Sequence, residues 1–268
     1  MISDDTYVLT TKGLVKAKFI GVGDELITAL NNKSKVLGFD SSPSLCNKKV
    51  VTTYEDIECS DDLLFAYKYG PKQTIDYVYT MEHTIAWLND IKGVRCKLPP
   101  ITGWIGVNRK IKDSEYNKYY NIGFKGKEFP LNFEIESFYL RLELLAGILD
   151  SPVSKLFDDH AIITLKDVSA EYVDDLIYLM RSLGHSFTVK RNGDKVIIML
   201  PFDGRYHKLP CKTMINYKPV KSENRWLFEI TDIVDIPATI THPFILSRPN
   251  EPILVGRMLI PCYIKNVE

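Results

Sequence analysis

A carboxylate at the end of an apolar run is the first residue of this chain that could do chemistry. Residues 134–150 contain one glycine and no proline, and their apolar side chains recur at helical spacing, so a helix is predicted to end at Asp150. Carboxylate oxygens can bind a cation such as Mg²⁺, and a solvated aspartate at a helix end is the alternative for Asp150.

A second group of candidates is basic and surrounds a hairpin predicted at Asn192-Gly193-Asp194. Its members are Lys190, Arg191, Lys195, Arg205, His207, Lys208 and Lys212. Contacts from such residues to phosphates would give DNA binding that weakens with salt. The preceding helix is acidic, and the chain has 34 basic and 34 acidic residues, so no global charge favours DNA. A DNA-binding surface and an ordinary solvated surface both remain open.

The elements that must position these residues follow a changing pattern. Residues 1–100 predict short strands with turn signals every 8–12 residues, typical of an all-β domain. Residues 101–133 show little periodicity and predict a linker with short elements. Residues 134–215 predict a helix to Asp150, a strand at His160–Lys166, a helix with Ser169 as its N-cap, and a hairpin. Residues 216–268 return to strands punctuated by prolines. The fold class is therefore mainly β plus α+β, with the α+β unit inserted into the β domain.

Composition restricts the cell compartment and the kinds of site. The five cysteines lie far apart without a zinc-binding spacing, which favours reduced thiols in an intracellular protein. The first residues lack the basic and apolar regions of a signal peptide, and no apolar run reaches the roughly 18 residues of a membrane span. We expect no membrane contact and a location in the nucleus or the cytoplasm.

Three local motifs, in a fixed order, make a family resemblance visible. They are MISDDTYVLTTKG at 1–13 with a later Val-Gly-Asp turn at 22–24, TMEH at 80–83, and LLAGILDS at 144–151. The last is followed by a strand, a helix ending in SLG and a hairpin. This order resembles an intein-derived Hint domain interrupted by a LAGLIDADG homing endonuclease. The layout is similar to that of mating-type-switching endonucleases and vacuolar-ATPase inteins.

The resemblance implies a discontinuous all-β Hint domain, formed by 1–100 and 216–268, with a single-repeat LAGLIDADG domain at 134–215. Thr80 and His83 match the block whose histidine polarises the scissile amide in splicing, and His242 resembles the histidine before the family's Phe-Leu-Leu segment. Met1 stands where the family has its nucleophile, and no His-Asn pair ends the chain. Splicing is therefore expected to be lost, and these three residues are expected to be structural remnants.

The same resemblance implies an ancestral activity, Mg²⁺-dependent cleavage of double-stranded DNA at a specific site. The family's metal-binding acid is the eighth residue of its nine-residue motif, which is Pro152 here, while Asp150 takes the sixth position. The resemblance therefore leaves Asp150 as the candidate catalytic and Mg²⁺-binding residue. With one such helix evident, the protein would form a homodimer through Ala146 and Gly147, or would have lost a first repeat, or would bury these small residues against its own sheet. Cleavage, binding of DNA or a protein by an inactive remnant, and an unrelated β-rich protein are the alternatives, and Mg²⁺ is required only by the first.

Overall fold

The chain divides into two compact units. The computed structural model describes residues 1–67, 77–79, 96–97, 106, 109–185, 187–201 and 229–264. Unit 1 comprises Met1–Gly103 and Phe228–Glu268, and unit 2 comprises Trp104–Leu227. The chain therefore leaves unit 1, forms unit 2 and returns, and the return at 227/228 comes later than the boundary at 215/216 that the sequence predicts.

Unit 1 is built of antiparallel strands. They are β1 (Tyr7–Thr10), β2 (Gly13–Lys16), β3 (Glu25–Ile27), β4 (Lys33–Phe39), β5 (Ser44–Thr52), β6 (Asp56–Cys59), β7 (Leu64–Tyr67), β8 (Tyr77–Tyr79), β9 (Cys96–Lys97), β14 (Glu229–Thr241), β15 (Phe244–Leu246), β16 (Ile253–Val255) and β17 (Ile260–Tyr263). One sheet has the order β15-β4-β3-β1-β16-β17-β7-β8, with β2 paired to β1, and another has the order β6-β5-β14-β9. Val8 pairs with Val255, and both are fully buried, so the two ends of the chain share one core.

Unit 2 combines three helices with one antiparallel sheet. The helices are α1 (Asp113–Lys125), α2 (Phe138–Asp150) and α3 (Ala170–Ser182), and the strands are β10 (Ser154–Leu156), β11 (His160–Lys166), β12 (Thr188–Asn192) and β13 (Lys195–Pro201), in the order β10-β11-β13-β12. The predicted end of a helix at Asp150 is confirmed. Ser169 caps α3 as predicted, because its side chain accepts a hydrogen bond from Tyr172 N at 3.1 Å.

The prediction of a linker over 101–133 is wrong between 113 and 125, where α1 lies. The helix begins with a bond from Lys112 N to the Glu115 carboxylate at 2.9 Å and ends at Gly126, whose φ is +60°. It buries mainly Tyr119 and Gly123, so it has too few apolar positions for a helical period to appear in the sequence.

No helix in the described ranges has the length and hydropathy that crossing a bilayer requires.

Candidate functional site

Helices α1 and α2 of unit 2 pack closely against each other, with one glycine of each helix at the contact. A Cβ atom added to Gly123 would lie 2.1 Å from Leu144 O, and one added to Gly147 would lie 2.0 Å from Tyr120 O. The two contacts are related by a shift of 24 residues, so each helix presents the same face to the other. No side chain larger than hydrogen fits at either glycine without moving the backbone, and the backbones therefore approach closely at this crossing.

An arginine before α1 fixes the direction of the two helices. Arg109 Nη2 lies 2.7 Å from Glu115 Oε1, in the first turn of α1, and 3.0 Å from Glu136 Oε2, just before α2. Glu115 lies roughly 12 Å along its helix from Gly123 at about 1.5 Å per residue, and Glu136 lies further still from Gly147. One guanidinium reaches both carboxylates only if the two N-termini lie on the same side of the crossing. The helices therefore run in the same general direction.

This arrangement gives the small residues of α2 a neighbour within the chain. The face around Gly147 packs against Tyr120 and Phe124 of α1, a helix that lies inside the predicted linker. The homodimer through the LAGLIDADG helix stays a prediction.

The C-terminal end of α2 holds the candidate carboxylate. Asp150 is half-buried and accepts a hydrogen bond from the Tyr120 hydroxyl at 3.1 Å. The hydroxyls of Ser151 and Ser154 both donate to Ile148 O, at 2.6 and 2.7 Å, and so cap the helix end. Pro152 lies exposed in the turn that follows. Polar groups of the chain itself thus satisfy this helix end.

These residues do not fit a Mg²⁺ centre shared by two helix ends. The 24-residue shift relates Asp150 to Gly126 and Pro152 to Glu128, so each pair of related positions has a single carboxylate. In the described part of the chain, no three His, Cys, Asp or Glu side chains are grouped closely enough to hold a metal. A two-metal or shared-metal site of this kind needs acids at equivalent positions of the two helices, whereas Asp150 and Glu128 occupy different positions.

The sheet of unit 2 has one buried face and one outward face. The inner positions of β11 and β13 are all buried: Ala161, Ile163, Leu165, Val196, Ile198 and Leu200. Because side chains alternate along a strand, the positions between them face outward. These are His160, Ile162, Thr164 and Lys166 on β11, and Lys195, Ile197, Met199 and Pro201 on β13.

The outward face is basic. Lys190 pairs across the sheet with Ile197, so two of the predicted residues, Lys190 and Lys195, share this face with Lys155 and Lys166. Lys166 and Lys195 are direct Cα partners, and two like charges in that position repel each other unless an anion lies between them. No sequence motif singles out Lys155 and Lys166, because their place on this face depends on which strands pair.

The other predicted basic residues have different positions. Arg191 pairs with buried Val196, which places it on the inner side at the end of the sheet. Arg205, Lys208 and Lys212 lie outside the described residues. No acidic residue occupies an outward strand position in the described part of this sheet; Asp167 and Asp194 lie in the turns at its end. The acids of α3 belong to the helical layer, so they do not neutralise the lysine face.

A cleft of about 400 Å³ in unit 1 surrounds the first residues of the chain. It is lined by Met1, Ile2, Asp4, Ala17, Lys18, Ile20, Phe39, Thr241, His242 and Phe244. Met1 is 2% exposed, and its ammonium lies 2.8 Å from Asp62 Oδ1. Burial favours a higher pKa for Asp62, but the hydrogen bond and charge of the ammonium outweigh it and lower that pKa. Thr241 Oγ1 donates to Ile2 O at 3.2 Å.

This cleft brings His242 beside Met1, whose side chain cannot start an acyl shift. The Met1 side chain is a thioether, and the Ser3 hydroxyl lies 3.0 Å from Thr6 Oγ1 and lines a different cleft. Thr80 and His83 lie outside the described residues. An acyl shift at Met1 therefore lacks the thiol or hydroxyl that it needs on that residue.

Comparison with models of known protein families found no match, and comparison with curated proteins found none either. Among solved structures, the chain is similar to the Msm DnaB1 intein splicing domain bound with zinc, at 10% identity and a TM-score of 0.36, over 98% of this chain and 99% of that one. It is also similar to the gp41-1 intein, at 20% identity and a TM-score of 0.25, over 30% of this chain and 58% of that one. The likeness is low in both cases, and neither structure identifies the family of this chain.

Proposed function

We propose that this protein is a Hint-type β unit carrying a LAGLIDADG-like unit, that it has lost splicing and cleavage, and that it binds double-stranded DNA. The observation that carries the proposal is the outward face of the unit 2 sheet, on which four lysines stand with no acid among the described strand positions. Binding by such a face is electrostatic and depends little on base sequence.

The proposed descent is supported by the helix crossing and by the cleft. LAGLIDADG helices pack side by side through small residues, and α1 and α2 do so at Gly123 and Gly147 within one chain. The motifs that suggest a Hint domain occur on both sides of unit 2, and their histidine, His242, lies beside Met1. The helices cross at glycines but carry no acids at equivalent positions, which favours loss of DNA cleavage. His242 lies beside a residue that cannot act as a nucleophile, which favours loss of splicing with the scaffold retained.

The proposed contact runs along one end of the sheet. Lys166, Lys195 and Asn192 form one row across three strands, and Lys190 stands in the next row beside Ile197. Phosphates of a duplex would replace the repulsion between Lys166 and Lys195 with attraction, and would release counterions from the DNA. Asp150 has no role in this function beyond its bond with Tyr120.

The proposal is tested by titrating a fluorescent duplex of random sequence with the full chain between 50 and 200 mM salt. If Lys166, Lys190 and Lys195 contact phosphates, the logarithm of the affinity should fall with the logarithm of salt with a slope of about −3, since each contact contributes about −0.9. Lys190→Ala and Lys195→Ala should each reduce that slope by about 1. Lys118→Ala is the matched control, an exposed lysine on α1, and should leave the slope unchanged.

DNA cleavage is the competing function, and a separate experiment tests it. The same duplex and a plasmid, incubated with the protein and Mg²⁺, should remain intact. Cuts that appear with Mg²⁺ and disappear in Asp150→Asn would overturn the loss of cleavage. Absence of salt-dependent binding to any duplex would overturn the proposal of DNA binding.

A further inference from the structure

The outward face of the unit 2 sheet is not uniform along its strands. The lysine row lies at one end, and the other end is aromatic and apolar. There Phe157, His160 and Pro201 form one row, and Ile162 and Met199 form the next, in which Lys155 pairs with Ile162. Met199 is 40% exposed, so this end presents apolar surface to solvent. We call these five residues, without Lys155, the aromatic end.

Two rings at the aromatic end form a stack that is already in place. The rings of Phe157 and His160 are 4.6 Å apart between centroids and inclined by 7°. Phe157 N donates to His160 O at 2.9 Å, which continues the strand pairing and holds both side chains on the outward face. His160 Nδ1 lies 2.6 Å from Asp159 Oδ1, and Lys155 Nζ lies 5.1 Å from the centre of the Phe157 ring. The rings are thus fixed from both sides.

The two ends of this face differ in charge. Asp158 and Asp159 lie exposed in the turn beside the stacked rings, and Lys166 and Lys195 lie at the opposite end of β11 and β13. Six residues separate His160 from Lys166, a span of about 20 Å at roughly 3.3 Å per residue. At the aromatic end the two aspartates outnumber Lys155, so phosphates are attracted more strongly to the lysine end. A nucleic acid on this face therefore places its backbone on the lysines and directs an uncharged group towards the rings.

We propose that the aromatic end binds an unpaired nucleobase by stacking, so that the protein prefers single-stranded or locally unpaired DNA to a fully paired duplex. The inference rests on the proposed function, because it requires DNA on this sheet face. A paired base in a duplex offers only its edges in the grooves, since its two faces are covered by neighbouring pairs. An unpaired base offers a whole face, and aromatic side chains on basic surfaces bind such faces regardless of sequence.

The test uses three labelled DNAs with the full chain: a paired duplex, the same duplex with a short central stretch of unpaired thymines, and the single strand. The two DNAs with unpaired bases should bind about tenfold more tightly than the duplex. Phe157→Ala should remove that preference and change duplex affinity by less than about twofold. Phe157→Trp should keep the preference, because it keeps a stacking ring.

Leu131→Ala is the matched control, since Leu131 is 90% exposed in unit 2 and lies off the sheet; it should change nothing. Thermal unfolding of each variant shows whether the fold is retained. Met199→Ala is a second change at the aromatic end; it leaves the ring stack intact and should weaken the preference for unpaired bases. Equal affinity for the three DNAs overturns base stacking and leaves the proposed function standing. An equal loss for all three DNAs in Phe157→Ala also overturns base stacking, and failure of every DNA to bind overturns both proposals.

Discussion

Two glycines allow helices α1 and α2 of unit 2 to pack closely. Gly123 and Gly147 each stand where a methyl group would lie 2.1 and 2.0 Å from backbone oxygens, far inside van der Waals contact. The sequence predicts small residues on α2 and leaves three partners open, a second copy, a lost repeat or the chain's own sheet. It could not choose among them, because the partner helix has its own glycine at the contact and so shows no apolar stripe.

Gly147→Ala should destabilise unit 2. At an ordinary helical position this change stabilises by about 1 kcal/mol, since alanine is the better helix former. Here the added methyl group displaces a neighbouring helix, and overpacking costs about 1–3 kcal/mol or more. Urea unfolding measures the difference. Gly38→Ala is the control, because its new methyl would meet only Ile245 Cδ1 at 3.8 Å. A stabilised Gly147→Ala variant would contradict the close crossing.

Three cysteines of unit 1 are buried and free of disulfides. Cys46, Cys59 and Cys262 are free and fully buried. Burial raises the pKa of Cys46 to about 11 and that of Cys59 to about 12, and it raises the pKa of Cys262 as well. Thiolate, the reactive form, is therefore scarce at neutral pH.

Alkylation by iodoacetamide at pH 7.5 should leave these three cysteines unmodified in the native protein and modify them in urea. Mass spectrometry of peptides from both samples measures the difference. Rapid native modification of Cys46 or Cys262 would show that the core of unit 1 opens easily.

At the scale of elements, Arg109 connects the starts of α1 and α2. Its hydrogen bond is the main cause that lowers the pKa of Glu115, to about 2. Burial favours a higher pKa for Glu136, but its bonds with Arg109 and Ser137 N outweigh this and lower it. A carboxyl whose folded pKa is depressed stabilises the fold above its unfolded pKa of about 4.3, and this stabilisation is lost as pH falls towards the folded value.

The stability difference between the wild type and Arg109→Ala should therefore be largest near neutral pH and shrink between about pH 5 and pH 2. Urea unfolding at pH 7, 4 and 2.5 follows it. Lys118→Ala, on the exposed side of α1, should show no such trend. A difference that stays constant with pH would mean that the two carboxylates do not depend on Arg109.

At this scale, helices and strands were predictable where the type of each residue indicates whether it is buried or exposed. The strand at 160–166 and the helix after Ser169 have the predicted bounds, because alternating or helical burial is visible in the residue types. Lys155 and Lys166 were missed since their meaning depends on which strand lies beside them. Pairing of Lys166 with Lys195 joins residues nearly thirty positions apart in sequence, and no local pattern encodes it.

At the scale of the whole molecule, the chain forms two units with separate cores, and unit 2 is inserted into the sequence of unit 1. Leu9 is fully buried in unit 1, and Leu165 is 2% exposed in unit 2. The sequence predicted a β unit interrupted by an α+β unit from the change of periodicity. It could not predict where the insertion ends, nor which residues line the cleft around Met1, because these depend on pairing between the two ends of the chain.

Leu165→Ala should loosen unit 2 alone, and Leu9→Ala should loosen unit 1 alone, each at a cost of about 2–5 kcal/mol for the cavity. Amide hydrogen exchange of the full chain, read peptide by peptide, distinguishes the units. Faster exchange throughout the chain in either variant would mean that the two cores unfold as one.

The central claim, that DNA binds to the outward sheet face, is tested most directly by lysine footprinting. The full chain is acetylated briefly with and without duplex DNA, and mass spectrometry gives the modification rate of each lysine. The account predicts slower modification of Lys166, Lys190 and Lys195 with DNA, and unchanged rates at Lys118 of α1 and Lys33 of unit 1. Protection of Lys118 or Lys33, with the three sheet lysines unchanged, would contradict it.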